Sequence, residues 1–490
     1  MVYKYLRPYS SALDYYIPDR YDEGYGISYK GINYARENGI TLVISLDCGI
    51  KAIEKIEYAK QLGIDFIICD HHMPDDTLPD AVAVLDAKRV DSVYPYEHLS
   101  GCGVGFKFMQ AFAKSNNFPF ADLEKLLELT AVSIASDIVP LVDENRILAH
   151  YGLLRLNASP SKGLLSIIKI CGLDRHNITI DDIVFKIGPR INAAGRMRMD
   201  ENDENAAPSG GYAAVNLLIE GNESLAEEFG SVIDGFNQDR KCIDRSVTQE
   251  AHDFIEAHAE LKAAKSTVIY NPRWMKGIVG IVASRLIETY YRPTVVLTMS
   301  NGFVTGSARS VPGFDLYQAI ESCSDLLENF GGHMYAAGLT MRPERVEEFT
   351  RRFNAYVEEN IDPITLQPQV EIDSELFFSN ITPAFRRDLN RFQPFGPGNP
   401  APVFVTRGVV SHGETKLVGA DCEHLRMDLM QRQKPNTTIQ TIAFQQPTHY
   451  EWIRAGHPID VCYQIVENHY RGSVSVQLRI KDIKPLRSKQ

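Results

Sequence analysis

The sequence predicts an α/β protein built on a doubly wound parallel sheet, followed by a long connecting helix, a second α/β domain and a small OB-like β-barrel. Three observations lead to this prediction. In the first part of the chain, short apolar runs alternate with stretches whose apolar residues recur at helical spacing. A charged stretch with few helix breakers covers about 222–262. Beyond residue 363, turn-rich segments precede alternating runs such as SVSVQLRI.

Composition excludes several classes of protein. With 490 residues, of which 44% are hydrophobic, the chain can bury more than one core. It has no apolar run of the roughly 20 residues that span a bilayer, so we expect a soluble, cytoplasmic protein without a membrane partner. Its eight cysteines form no CxxC pair, which argues against a zinc module and against a disulfide framework.

The charge is unevenly distributed along the chain. Lys and Arg number 51 and Asp and Glu 63, a net charge of −12, yet residues 381–490 carry 15 basic and 9 acidic side chains, or +6. A basic C-terminal segment on an acidic chain is typical of a surface that follows a nucleic-acid backbone, although it is also compatible with an ordinary solvated face.

The first sheet carries the strongest functional signal. Apolar runs at 42–46 and 64–69 flank a helical pattern, and a third run at 81–85 completes the half-sheet. Asp47 follows the first run, whereas Asp70, His71 and His72 follow the second. Because the carboxyl ends of parallel strands meet at one edge, these side chains should share one crevice. Carboxylates with imidazoles suit Mn²⁺ or another borderline divalent metal.

Other segments of this region allow two interpretations. Residues 13–17 resemble a strand, and the loop 18–26, dense in charge and glycine, is either a solvated turn or a phosphate- or metal-facing loop. The glycines of SGCGVGFKF lack dinucleotide-binding spacing and indicate a tight helix start. Asp137 follows an apolar helix, where it serves either as a helix cap or as a cation ligand.

Arginines and small polar residues mark two candidate phosphate sites. GPRINAAGR suggests an irregular loop that offers guanidinium groups to phosphate oxygens, and GSARS suggests a Gly/Ser/Arg clamp before a helix start at Asp315. His333 follows two glycines that would let backbone approach a ligand, although a lone histidine is more often structural. The candidate phosphate-binding residues of these two segments are Arg190, Asn192, Arg196, Ser307, Arg309 and Ser310.

These motifs occur in a characteristic order: LDCG, DHH, ASDIVPL, GPRINAAGR, GSARS and FGGHMYAAG. In this order they resemble the DHH/DHHA1 phosphoesterases over nearly the whole sequence. The long linker and the terminal GPGNPAP barrel make the chain similar to the single-stranded-DNA-specific 5'-to-3' exonucleases of that family, which act in DNA repair and recombination. The boundaries would be 1–215 (DHH domain), 216–262 (connecting helix), 263–360 (DHHA1 domain) and 361–490 (OB-like domain).

The resemblance implies hydrolysis of phosphodiesters with two Mn²⁺ or Mg²⁺ ions. Asp47 would bridge the metals, while His71 and Asp137 would ligate one of them. His72 would face the scissile phosphate and Asp70 would support the imidazoles. His333 would complete the catalytic site from the second domain, and Arg20, Arg196, Ser307 and Arg309 would hold the 5' end and phosphates. The partners would be single-stranded DNA, a helicase and a single-strand-binding protein, with the chain itself a monomer.

The resemblance also implies an Asp-x-Asp-x-x-Gly motif upstream of the position where this chain begins. MVYKYLRPY is similar to the helix that follows that motif. We therefore expect a chain truncated at its start, with one metal site depleted because only Asp47, and Asp22 in addition, would hold the second ion.

Two other functions remain open at this level. A nanoRNA or cyclic-dinucleotide phosphodiesterase of the same superfamily would need neither the long linker nor the barrel. A catalytically impaired DNA-binding scaffold would fit the missing first motif, but it would have no need to keep Asp47, His71, His72 and Asp137.

Overall fold

The computed structural model describes residues 1–20, 22–197, 210–431, 434–470 and 473–486. The chain divides into two compact units, Met1–Pro368 and Gln369–Gln490. Within the described ranges, no helix combines the length and the apolar character that crossing a membrane requires.

The first region of the larger unit is a three-stranded parallel sheet with helices around it. The strands are β1 (Leu42–Leu46), β2 (Asp65–Cys69) and β3 (Ala83–Leu85), in the order β1-β2-β3. The helices that precede or connect them are α1 (Val2–Leu6), α2 (Tyr29–Glu37) and α3 (Ile53–Gln61). The predicted strand–helix–strand unit is therefore present, and all three strands point their carboxyl ends to the same edge.

A helical layer follows the sheet. Its members are α4 (Gly101–Ser115), α5 (Phe120–Glu124), α6 (Leu127–Ser136), α7 (Asp143–Ala158), α8 (Lys162–Ile170), α9 (Ile180–Asp182), α10 (Gly188–Ala194) and α11 (Gly210–Ile219). Buried side chains of β2, α4, α6, α8 and α12 (Glu223–Ala257) form the main core of this region. α4 starts at Gly101, so the SGCGVGFKF glycines lie in its first turns, as the sequence indicates.

Two local predictions for this region were wrong. Residues 13–17 form no strand, and the Ile17 amide donates to the Tyr212 hydroxyl at 3.2 Å. The GPRINAAGR segment is helical rather than irregular through Ala194, because a π-helical turn at Ile183–Ile187 continues directly into α10. Pro189 lies just beyond this π-helical turn, as the second residue of α10.

The connecting helix α12 has 35 residues and begins at the N-cap Asn222, whose side chain accepts from two backbone amides. A short helix α13 (Ala259–Ala263) follows it. The second α/β region then contains β4 (Thr267–Tyr270), α14 (Val279–Tyr290), β5 (Thr294–Ser300), β6 (Phe303–Arg309), α15 (Leu316–Glu321), β7 (Leu327–His333), β8 (Ala336–Met341) and α16 (Val346–Asn360). Its five strands are ordered β4-β5-β6-β8-β7.

In this second sheet most of the GSARS segment forms a strand, whereas the sequence predicted a loop. Gly306, Ser307 and Arg309 belong to β6, which pairs antiparallel with both β5 and β8, and only Ser310 lies beyond the strand. Val304, Gly306 and Ala308 are buried while the residues between them are less so, which is the two-residue period of a strand. α15 does begin after Asp315, which caps it through the Gln318 amide.

The smaller unit is a closed barrel. Its elements are β9 (Ser374–Glu375), α17 (Pro383–Asn390), β10 (Phe404–Ser411), β11 (Lys416–Val418), β12 (His424–Gln431), β13 (Lys434–Ala443), α18 (Tyr450–Arg454), β14 (Ile459–Tyr470) and β15 (Ser473–Pro485). The strands β12, β13, β15, β14 and β10 are neighbours in that order, and β10 pairs with β12 to close the ring. This agrees with the predicted OB-like β-barrel.

Candidate metal centre and phosphate cluster

Asp47 projects from a tight turn at the end of β1. Its backbone is in the left-handed region, with φ of 63°, which aspartate adopts more readily than most residues. The Asp47 amide donates to the Cys69 carbonyl at 2.8 Å, which ties this turn to the end of β2. The Asp47 side chain therefore lies directly beside the DHH triplet, as the sequence predicts.

Asp70 is the fixed centre of the triplet. Its carboxylate is buried and accepts hydrogen bonds from the backbone amides of Ile50 at 2.9 Å, His71 at 2.8 Å and His72 at 3.2 Å. The ring Nδ1 of His72 lies 2.7 Å from the same carboxylate. Asp70 therefore orients one imidazole directly and the backbone of both, in the way that a carboxylate commonly orients metal-binding histidines.

His71 lies between two carboxylates. Its Nε2 is 2.9 Å from Asp47 Oδ1 and 3.4 Å from Asp137 Oδ2. The His71 ring is nearly buried, whereas the side chains of Asp47 and Asp137 are 60% and 43% exposed, so the group faces an open crevice. On the other side, the Lys88 ammonium donates to the His71 carbonyl at 2.6 Å and holds its backbone.

The electrostatics of this group favour a positive charge at its centre. Burial lowers the pKa of His71, but the hydrogen bond to Asp47 and the charges of Asp137 and Asp47 more than offset it, so the net change is upward. For Asp70 both effects have the opposite sign to those on His71. Burial raises the Asp70 pKa, yet the hydrogen bonds from the His72 ring, Ile50 and His71 lower it to about 2. Burial, reinforced by the charge of Asp47, raises the pKa of Asp137.

The donor set fits a divalent cation. One ligand atom each from Asp47, His71 and His72 lies within 4.8 Å of the others, and Asp137 reaches the same His71 nitrogen. Carboxylate oxygens with imidazole nitrogens are ligands that Mn²⁺ accepts, and two carboxylates around one nitrogen need a cation to reduce their repulsion. His72, which the family resemblance places at the scissile phosphate, is thus also within reach of a metal.

Gly101, at the start of α4, is a neighbour of Asp47 that sequence reasoning missed. A Cβ atom at Gly101 would lie 2.5 Å from Asp47 Cγ and 2.7 Å from Asp47 Cβ. Such contacts are far shorter than packed atoms allow, so only glycine fits without moving the carboxylate. The glycine-rich segment was interpreted as a helix start, which is correct but does not reveal the contact across the fold.

Three of the predicted phosphate-binding arginines form one electrostatic cluster, which also includes Arg240. Burial lowers the pKa of Arg196, and the positive charges of Arg20, Arg240 and Arg309 lower it further. One guanidinium nitrogen of Arg196 donates to the Gly277 carbonyl at 3.3 Å, just before α14. Cations held together at this density favour an anion, for which guanidinium groups provide paired donors.

Ser307 and Arg309 are arranged by β6 rather than by a loop. Arg309 Nη1 donates to the Ser307 hydroxyl at 2.9 Å and to the Ala308 carbonyl at 2.8 Å, and burial lowers the Arg309 pKa. A Cβ atom at Gly280, in the first turn of α14, would lie 3.0 Å from Ser307 Oγ and 3.1 Å from Arg309 Nη2. Glycine at this position therefore lets the helix approach both side chains.

Tyr25 is a second residue that sequence reasoning missed. Its ring is 71% exposed and lies beneath the Arg20 guanidinium, with 4.6 Å between the guanidinium carbon and the ring centroid. Tyr25 is also close enough to influence the pKa of Arg196. An exposed aromatic ring beside a candidate phosphate-binding arginine is a suitable stacking surface for a nucleobase. Only the position of Tyr25 in the loop 18–26 could have suggested this.

The remaining predicted residues have other surroundings. Arg190 Nε pairs with Asp234 on α12 at 2.8 Å, and the Ser310 hydroxyl donates to the Phe314 carbonyl at 2.9 Å. Asn192 is exposed on α10. His333 ends β7, is exposed, and its Nδ1 accepts from the Tyr335 amide at 3.3 Å; it is not part of the cluster of Asp47, His71 and His72.

Comparison with known families covers most of the chain. Residues 1–134 match the DHH family, N-terminal domain, residues 263–359 match the DHHA1 domain, and residues 372–482 match the RecJ OB domain. Curated relatives named single-stranded-DNA-specific exonuclease RecJ are 34% identical in Bacillus subtilis, 32% in Salmonella typhimurium and 31% in Escherichia coli. Each alignment covers 97% of this chain, which corresponds to 58%, 82% and 83% of the three relatives.

Solved structures agree with the fold. RecJ from Thermus thermophilus in complex with Mn²⁺ matches 99% of this chain and 66% of its own, at a TM-score of 0.79 and 24% identity. A further structure, exonuclease RecJ bound to manganese, matches 74% of this chain and 87% of its own, at a TM-score of 0.59 and 27% identity.

Proposed function

Because this chain belongs to the RecJ family of DHH/DHHA1 phosphoesterases, we propose that it is a single-stranded-DNA-specific exonuclease. It would degrade strands from 5' to 3' by metal-dependent hydrolysis of phosphodiesters, in DNA repair and recombination. The observation that carries the proposal is the position of His71 Nε2 between Asp47 Oδ1 and Asp137 Oδ2, beside a His72 ring held by Asp70.

Asp47, His71 and Asp137 would hold the metal, with His72 at the scissile phosphate and within reach of the same ion. When bound, Mn²⁺ or Mg²⁺ lowers the pKa of water and neutralises charge on the phosphate. The residues of this chain contribute position and charge: Asp70 fixes the His72 ring, Lys88 fixes the His71 backbone, and Asp47 provides an oxygen for a metal. The proposal needs no side chain as a nucleophile.

Arg20, Arg196 and Arg309, with Ser307, would bind phosphate oxygens at the 5' end of the strand. These groups contact the sugar-phosphate backbone rather than base edges, so we propose little base specificity. His333, Arg190, Asn192 and Ser310 remain candidates for contacts that form only with a strand in place. A helicase that supplies single strands, a single-strand-binding protein and a monomeric state also remain part of the proposal.

The proposal is tested with single-stranded DNA labelled at either end, in Mn²⁺, with EDTA as control. We expect the 5' label to be released at once as a mononucleotide, while 3'-labelled strands shorten progressively and duplexes persist. Release from the 3' end first, or hydrolysis of dinucleotides alone, would contradict it and favour the small-substrate phosphodiesterase. A protein that binds Mn²⁺ and single strands but releases nothing would favour the scaffold.

The raised pKa of His71 predicts how Mn²⁺ binding depends on pH. A metal binds only the deprotonated imidazole, so protons compete with the metal below the His71 pKa, which lies above its ordinary value of 6.5. We expect Mn²⁺ affinity to rise about tenfold per pH unit from pH 6 up to the His71 pKa and to level off above that pKa. Isothermal titration at several pH values measures this, and an affinity that is already constant at pH 6 would refute it.

Tyr25→Ala tests the proposed stacking surface. Loss of one base–aromatic stack costs about 1 kcal/mol or somewhat more, so we expect single-strand binding in EDTA to weaken several-fold. Tyr25→Phe should bind normally because the ring is kept. Tyr29→Ala removes another exposed tyrosine, on α2, and serves as the matched control. Equal binding by the two alanine variants would exclude stacking on Tyr25.

A further inference from the structure

A basic cavity lies along the connecting helix. It has a volume of about 290 Å³ and is formed where α12 packs against α10 and α14. Its charged lining residues are Arg190, Arg240, Lys241, Asp244, Arg245 and Arg285. A cavity with five cationic groups and one carboxylate is unexpected in a chain whose net charge is −12.

Two of the five cations are neutralised within the fold. Arg190 pairs with Asp234 at 2.8 Å, and Arg285 holds the buried carboxylate of Asp244 through two nitrogens at 3.0 and 3.1 Å. These pairs fix α12 to α10 and to α14. Five cations less two carboxylates leaves three positive charges, on Arg240, Lys241 and Arg245. In the described ranges, no carboxylate lies within ion-pair distance of these three side chains.

The floor of the cavity has hydrogen-bond donors without acceptors. Asn237 is fully buried, and its Oδ1 accepts from Arg240 Nη2 at 3.1 Å. Asn237 Nδ2 and Arg240 Nε are also buried, and neither has a partner among the described residues. Buried donors left unpaired cost free energy that an incoming acceptor would recover. Every unsatisfied group here is a donor, so the matching ligand is an oxyanion.

The cavity shares Arg240 with the arginine cluster of the candidate site. The charge of Arg240 contributes to the lowered pKa of Arg196, after burial and after the charge of Arg20. We propose that this cavity is a second phosphoryl-binding site, which takes either an internal phosphate of a bound single strand or a free phosphate. The possibility that a bound strand supplies the phosphate rests on the proposed function, whereas the phosphoryl-binding site itself does not.

The test uses the full chain in EDTA, so that hydrolysis plays no part. The double variant Lys241→Gln/Arg245→Gln removes two unpaired charges without touching the Arg285–Asp244 pair. The control Lys30→Gln/Lys114→Gln removes two exposed charges from α2 and α4. Binding of 5'-phosphorylated oligothymidylate is measured by anisotropy across a salt series, and stabilisation by inorganic phosphate or pyrophosphate is measured by thermal unfolding.

For a strand phosphate, we expect several-fold weaker oligonucleotide binding than in the control, with a salt slope that is smaller by about 0.7 for each phosphate that the variant no longer binds. For a free phosphate, strand binding stays at the control value and the rise in Tm with phosphate disappears. If neither quantity differs from the control, the cavity is not a phosphoryl site. Arg240→Gln, which also removes the buried Nε, should repeat the effect. Failure of the proposed exonuclease would appear separately, in the Mn²⁺ assay.

Discussion

Asp47→Asn is expected to reduce Mn²⁺-dependent release of nucleotides by about 100- to 1,000-fold, the largest effect that we predict for a single substitution. A carboxylate that holds a catalytic metal contributes several kcal/mol through charge, and each 1.36 kcal/mol is tenfold in rate. Asparagine keeps the shape of the side chain and tolerates the φ of 63° at this position. The loss should therefore reflect charge and not misfolding.

Two further measurements separate this role from a general defect. Mn²⁺ affinity should fall with the rate, and the His71 pKa should fall as well, because Asp47 is the hydrogen-bond partner that raises it most. Asp75→Asn is the matched control, since Asp75 is an exposed aspartate whose ion-pair partner among the described residues is Lys51, and such pairs contribute about 0–1 kcal/mol. Equal Mn²⁺ affinity in both variants would remove Asp47 from the metal site.

The parts of this site that follow from the sequence are those determined by local pattern. β1 begins and ends where its apolar run does. The parallel arrangement of β1 and β2 is enough to predict that Asp47 lies beside His71. Any strand–helix–strand unit places the ends of its strands at one edge. The order of the motifs then indicated, through a family resemblance, that the chemistry is hydrolysis of phosphoesters. The periodicity of apolar residues alone would not have indicated this.

The parts that the sequence did not reveal depend on contacts between distant segments. GPRINAAGR contains glycine and proline, yet its first seven residues are helical, and Arg190 pairs with Asp234, 44 residues away. GSARS forms a strand because β5 and β8 are both available to pair with it. Arg240 was overlooked because a charged residue on a long helix is ordinarily solvated, and only the packing of α10 and α14 makes it partly buried.

Gly101→Ala is the second prediction with a large effect, and its sign is opposite to that expected from helix propensity. In a helix, alanine is ordinarily more stable than glycine by about 1 kcal/mol. At Gly101 the added methyl group would lie 2.5 Å from Asp47 Cγ, so the carboxylate or the start of α4 must move. Displacing a metal ligand in this way should weaken Mn²⁺ binding by about 10- to 100-fold, and hydrolysis with it.

Two other glycines provide the controls for Gly101→Ala. Gly235 is on α12, where an added Cβ would meet no atom within 4 Å, so Gly235→Ala should raise Tm and leave Mn²⁺ binding unchanged. Gly103 is in the same turn of α4 as Gly101, but its nearest contact would be Ser100 Oγ at 3.3 Å, so alanine there should be nearly neutral. If Gly101→Ala binds Mn²⁺ as Gly103→Ala does, the position of Asp47 does not depend on α4. If instead only Gly101→Ala loses the metal while single-strand binding in EDTA persists, the helix holds the carboxylate in place.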